Sequence, residues 1–140
     1  MKKLSIALAL GLTCALSAQA QMATELLVTV NSANPQTQGM AMVLASQAVE
    51  QKAGVRVLLC GEAGQLAVKG KESVVLKPKN VTPKDMMQGL MKAGAKVEVC
   101  ALFLPNSGLT PADLIEGIGA AKPNEVAAYF LQPNVKTLGF

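Results

Sequence analysis

Two cysteines carry the nucleophilic chemistry this chain can offer. Cys60 closes the apolar run at 55–60 (VRVLLC), and Cys100 closes the segment at 96–100 (KVEVC). A thiolate attacks sulfur readily, and two thiols in an oxidising compartment invite a disulfide. A thiol near a helix N-terminus can have a lowered pKa and become reactive. The plainer reading is a small core side chain, because free cysteine is among the most buried residue types. The residues leave both readings open. The chain has no histidine, which removes the commonest general base and the commonest metal ligand. A Ser/His or Cys/His triad and a histidine zinc site are therefore excluded.

The elements that must position Cys100 follow from the stretch at 95–117. Residues 96–100 alternate polar and apolar, with Val97 and Val99 on one side, which predicts a strand. The apolar run 101–104 continues the strand or leaves it. Pro105, Asn106, Ser107 and Gly108 form a turn cluster. Thr110, Pro111 and Asp113 then open a helix: a cap, a proline suited to the first position, and a carboxylate for the free amides. That helix is expected to carry Leu114, Ile115 and Ile118 on one face. Cys100 is thus placed late in a strand, where sites form outside the carboxyl ends of open α/β sheets.

Elsewhere, residues 24–30 (TELLVTV) predict a first strand buried on both faces. Residues 37–53 predict a helix, with Met40, Val43, Leu44 and Ala48 at spacings of three and four. Residues 55–60 are the second strand, followed by a glycine-bearing loop at 61–64. Residues 65–69 fit either a strand or a helix, and 71–79 form a polar connection. Thr82, Pro83 and Asp85 repeat the helix start seen at Thr110, and this helix runs to about Ala93 with Met87, Leu90 and Met91 on one face. After the Thr110 helix, 117–121 fits a short strand, 123–131 a last helix and 135–140 a final strand. Alternating strands and helices predict an α/β three-layer sandwich with a five-stranded, mainly parallel sheet. Right-handed crossovers favour a strand order near 2-1-3-4-5.

Residues 1–20 read as a cleaved signal peptide. Lys2 and Lys3 precede an apolar run at 4–16 that is too short to span a bilayer, and Ser17 to Ala20 ends in A-x-A. Cys14 belongs to this leader. The expected address is the periplasm, and residues 21–140 form one domain, soluble once the leader is removed. Without Lys2 and Lys3 the net charge falls from +4 to +2. No basic cluster is joined to aromatics, so nucleic-acid binding has no support.

Other motifs fail on spacing. Residues 64–71 resemble a phosphate loop, but the second glycine is misplaced and Glu72 stands where Ser or Thr would bind magnesium. Asn80 to Thr82 fits a glycosylation sequon, a common chance match. Met40, Met42, Met86, Met87 and Met91 suggest either a soft Cu(I) site with the cysteines or core filling, and helical spacing favours the core. With strand one between them, Cys60 and Cys100 would stand about 9–10 Å apart, too far for a disulfide, which needs Cα atoms within about 7 Å. Both thiols could still border one cleft.

Residues 57–70 (VLLCGEAGQLAVKG) and 91–108 (MKAGAKVEVCALFLPNSG) resemble the DsrE/DsrF-like family of sulfur-relay proteins. The likeness lies in a strand, a glycine loop, a helix ending in Gly, then a strand whose cysteine precedes a Gly, and it extends over residues 24–140. The resemblance implies a five-stranded DsrE-like α/β fold and homo-oligomers, often trimers or hexamers. It also implies that Cys100 carries a persulfide and passes the sulfur to a partner, with neither PLP nor a metal required. Cys60 stands beside the family position as a helper thiol or a core residue. Three functions follow: a periplasmic sulfur carrier using Cys100, a non-catalytic binding or scaffold module of the same fold, or a small dithiol redox protein.

Overall fold

The computed structural model describes residues 23–140. The expected leader, with Cys14, lies outside the described residues. Five strands form one sheet: β1 (Glu25–Val30), β2 (Gly54–Leu59), β3 (Lys96–Val99), β4 (Gly119–Ala120) and β5 (Val135–Gly139). Every paired neighbour is parallel. Four helices accompany them: α1 (Pro35–Glu50), α2 (Pro83–Lys92), α3 (Phe103–Ser107) and α4 (Pro123–Phe130). Two 3-10 segments, Gly61–Ala67 and Pro111–Asp113, complete the elements among the described residues.

The α/β class and the five parallel strands agree with the sequence reading, but the strand order does not. The observed order is β4-β3-β2-β1-β5, not one near 2-1-3-4-5. The chain lays β2, β3 and β4 successively to one side of β1, then returns to add β5 on the other side. With right-handed crossovers, connections running in one direction fall on one face, and the returning connection falls on the opposite face. Accordingly α1 and α2 pack together on one face, and α4 lies on the other.

Alternation along the strands divides the two faces. Val28 and Val30 of β1, Val57 and Leu59 of β2, and Val97 and Val99 of β3 are buried together with Met42, Met87 and Leu90 of α1 and α2. Each such burial is worth about 1.5–3 kcal/mol. Arg56, Leu58 and Glu98 point to the α4 face. There Arg56 and Glu98 form a buried ion pair, Nη2 to Oε2 at 2.6 Å. Lys96 reaches the other oxygen at 2.9 Å. The Arg56 guanidinium also lies over the Tyr129 ring at 5.2 Å. Tyr129 donates to Glu25 at 2.9 Å. These contacts tie α4 to β1, β2 and β3.

The helix starts follow local chemistry. Asn34 Oδ1 accepts from the Gln36 and Thr37 amides at the head of α1. At α2 the Asp85 amide donates to Thr82 Oγ1, and the Thr82 amide donates to the Asp85 carboxylate. Two packing expectations need correction. The buried face of α1 is the small-residue face of Gly39, Ala41, Met42 and Ala45, which lets the helix approach closely. The stripe of Met40, Val43 and Leu44 faces outward, 52%, 43% and 41% exposed. Nor does Thr110 open a long helix. Its amide and hydroxyl donate to Asp113, but the turn stops at Asp113, and Leu114 is extended. Leu114 bridges to Val68, and the Ile115 amide donates to the Ala67 carbonyl at 2.8 Å. Leu114 and Ile118 reach the core from this extended path.

Candidate functional site

The site is built at the carboxyl edge of β2 and β3. The paired register runs from Arg56↔Lys96 to Leu59↔Val99, and the ladder continues one residue further. The Cys100 amide donates to the Leu59 carbonyl at 2.8 Å, and the Cys60 amide donates to the Val30 carbonyl at 2.8 Å. Cys60 and Cys100 are therefore register neighbours on adjacent strands, about 4.8 Å apart along the hydrogen-bonding direction. This corrects the separation of two strand spacings: β1 lies beside β2 and does not come between β2 and β3. The spacing falls within the Cα range of disulfides, and both cysteines are free thiols.

Both strands leave the sheet directly after their cysteine. Gly61 adopts a positive φ of 52°, which favours glycine, and the chain turns into the segment Gly61–Ala67. The Ala63 amide donates back to the Cys60 carbonyl at 3.2 Å, and the Phe103 amide donates to the Cys100 carbonyl at 2.9 Å. The two exits pack on each other at Gly64, where a Cβ would run into the Phe103 ring. The expected turn at 105–108 is instead the second half of α3, closed by Gly108 at a φ of 63°. The helix that follows Cys100 is thus α3 and not the Thr110 segment.

Cys100 borders two clefts of different chemistry. One, of about 370 Å³, is lined by Glu62, Gln65, Phe103, Asn106 and Ser107. The other, of about 290 Å³, is apolar, with Leu58, Leu102, Pro123, Val126 and Phe130. Cys60 lines neither, although it is half-buried like Cys100. Among the described residues neither cleft has a Lys or Arg in its lining. Burial, then the hydrogen bond with Cys100, then the charge of Cys100, push the Cys60 thiol from 9.0 up to about 12. Cys60 therefore holds its proton at neutral pH and can donate it toward Cys100.

The polar lining was not singled out in the sequence. Glu62 and Gln65 follow Cys60, and Asn106 and Ser107 follow Cys100, so polar residues in the exits of two neighbouring strands were the available signal. It is usable only once β2 and β3 are known to be adjacent. Of the methionines weighed as copper ligands, Met42 and Met87 are fully buried in the core. No group of three or more Cys, Asp or Glu placed to hold a metal occurs among the described residues.

No family model and no curated protein matches the chain. Solved structures do share its fold. The ychN protein from E. coli superposes with a TM-score of 0.69 at 19% identity, covering 85% of this chain and 100% of that one. A protein of unknown function from Methanobacterium thermoautotrophicum gives 0.61 at 11% identity, over 84% of this chain and 99% of that one. A conserved protein of unknown function from Bacteroides thetaiotaomicron gives 0.59 at 17% identity, over 83% and 94%. The fold is the DsrE-like α/β fold of these neighbours.

Proposed function

We propose that this chain is a sulfur carrier of the sulfur-relay type, with Cys100 as the residue that accepts and passes on sulfane sulfur. The observation that carries the reading is the position of Cys100. It stands at a sheet's carboxyl edge, at the mouth of two clefts, with a protonated thiol beside it on the neighbouring strand. The Cys100 thiolate attacks the terminal sulfur of a donor persulfide, R–S–SH. The S–S bond of the donor breaks, Cys100–S–SH forms, and R–S⁻ leaves and takes up a proton. An acceptor thiolate then attacks the terminal sulfur of Cys100–S–SH and regenerates the Cys100 thiolate. Neither step changes the overall redox state. Cys60 donates a hydrogen bond that stabilises the departing Cys100 thiolate.

The sequence features at 1–20 support work in the periplasm. Assembly into a trimer or hexamer is supported by exposed apolar side chains near the site: Leu102 at 69%, Phe130 at 45% and Leu131 at 73%. Among the described residues no helix is long and apolar enough to cross a membrane.

Cyanide converts sulfane sulfur to thiocyanate, so cyanide-labile sulfur counts the loaded protein. After treatment with a low-molecular-weight persulfide and desalting, wild type should yield about one thiocyanate per chain and Cys100→Ser none. Equal yields from both would sink the reading. A second reading, a dithiol redox protein, is favoured by the register pairing of Cys60 and Cys100. It requires the two thiols to oxidise together and both single Cys→Ser variants to be equally inactive.

A further inference from the structure

We infer that Cys60 is a resolving thiol that discharges the sulfur carried on Cys100 as hydrosulfide, leaving a Cys60–Cys100 disulfide. The inference rests on the carrier reading and adds a second fate for the bound sulfur. Its basis is the neighbouring placement of the two thiols, which are within hydrogen-bond reach of each other. Cys60 and Cys100 are register neighbours on adjacent parallel strands, so their side chains leave the sheet on the same side. Cys100 borders both of these clefts, whereas Cys60 lines neither of them. An added sulfur on Cys100 has room in the clefts, and Cys60 stands beside Cys100 on the neighbouring strand. Thiol–disulfide exchange needs the attacking sulfur, the central sulfur and the leaving sulfur close to collinear. The central sulfur is Cys100 Sγ, and the leaving sulfur is the carried one.

The atoms and electrons balance without a further oxidant. Cys60–S⁻ attacks Cys100 Sγ, the bond between Sγ and the carried sulfur breaks, and HS⁻ leaves through a cleft. The proton given up by the Cys60 thiol ends on the sulfide. The two cysteines are oxidised to a disulfide, and the carried sulfur is reduced to the sulfide level. An external dithiol then resets the pair by exchange. The raised Cys60 pKa keeps its thiolate scarce near neutral pH, so discharge is slower than loading and a waiting acceptor thiol can compete.

The test is single-turnover. Full-length protein is loaded with a low-molecular-weight persulfide, desalted, and followed without reductant for released sulfide and for intact mass. Wild type should lose the mass of one sulfur atom and two hydrogens together, with one sulfide and one Cys60–Cys100 disulfide per event. Cys60→Ser and Cys60→Ala, each first loaded to one sulfur per chain at whatever rate the lost thiol allows, should release sulfide at least about tenfold more slowly than wild type. Wild type that keeps its persulfide, or that loses it at the rate of the variants without a disulfide, overturns the inference while the carrier reading stands. Wild type that never loads overturns both.

Discussion

Cys60 and Cys100 occupy matching positions at the ends of neighbouring parallel strands, joined through the Cys100 amide to the Leu59 carbonyl at 2.8 Å. The backbone fixes this relationship before any side chain is considered. It gives two thiols on one face different surroundings: Cys100 lines both clefts, and Cys60 lines neither and has its pKa raised by burial. A carrier needs such asymmetry: one sulfur that meets the donor, and one that keeps its proton until the first has reacted.

Thiol labelling should show the asymmetry directly. Cys60 is pushed up to about 12, first by burial and then by Cys100. An alkylating reagent near neutral pH should therefore modify Cys100 well before Cys60. In Cys100→Ser the hydrogen bond and charge of the neighbouring thiol are gone but the burial remains. Cys60 should then label faster than in wild type, with its pKa still above 9.0. Equal rates for the two thiols in wild type would contradict the geometry.

Donor choice follows from the lining of the clefts. Glu62 stands in the polar cleft, and among the described residues neither cleft has a Lys or Arg in its lining. A small dianion such as thiosulfate meets no counter-charge there and one like charge. Loading from a thiol-derived persulfide should outpace loading from thiosulfate by about tenfold or more. Glu62→Gln should narrow that gap by speeding thiosulfate, as single-turnover loading rates will show. A preference for thiosulfate would count against this account of the cleft.

Among the described residues three groups hold protons more tightly: the exposed Lys122, through its hydrogen bond to Glu125, and two partly buried ones. Cys60 rises from 9.0 to about 12, and Tyr129 rises from 10.0 to about 12 through burial and its bond to Glu25. For raised pKa values the stability contribution is complete below the unfolded values and is lost as pH climbs through the folded ones. Urea midpoints should thus fall steadily from about pH 9 towards 12. Cys60→Ser should flatten part of that decline. A flat wild-type profile over the same window would contradict both assignments.

The Arg56–Glu98 pair should behave asymmetrically. Arg56 and Glu98 are 7% and 6% exposed, and Glu98 also binds Lys96. Removing Glu98 strands a buried guanidinium, so Glu98→Leu should cost about 3–5 kcal/mol. Removing Arg56 leaves Glu98 with Lys96, so Arg56→Leu should cost less. The double variant should cost less than the sum of the singles. Denaturant titrations of the three variants measure this, and additive costs would contradict the coupling.

Much of this fold was legible in the sequence, and the part that failed was specific. Thr82 and Asp85, the Met87 and Leu90 face, and the alternation of Val97 and Val99 all appear as predicted, because each is set by neighbours in sequence. Strand order is not: β1 can sit on either side of β2 without changing any local pattern. The misplaced β1 separated Cys60 from Cys100 and hid their pairing. The α1 face was misread for a different reason. Met40, Val43 and Leu44 have the right spacing, but Gly39, Ala41 and Ala45 allow closer approach to the sheet. At 110–118 the capping chemistry of Thr110 and Asp113 was recognised correctly, yet a cap starts a turn and does not fix its length. Hydrogen bonding from Ile115 to Ala67 pulled the chain into an extended path instead.

Gly64 links the two strand exits, and its substitution should report on the site. A Cβ at Gly64 would run into the Phe103 ring, so Gly64→Ala should cost about 1–3 kcal/mol. The displaced ring lines the cleft beside Cys100, so loading should slow even where the variant is fully folded. Circular dichroism melts with loading rates separate the two effects. An unchanged loading rate in a destabilised protein would mean that Phe103 does not shape the cleft.

The most direct test is the intact mass of the protein after exposure to a persulfide donor, with Cys100→Ser treated in parallel and the adduct placed by peptide mapping. The account predicts one added sulfur on wild type, located on Cys100, removed by reductant and absent from Cys100→Ser. An adduct on Cys60 alone, or no adduct on a protein with both thiols free, would contradict it.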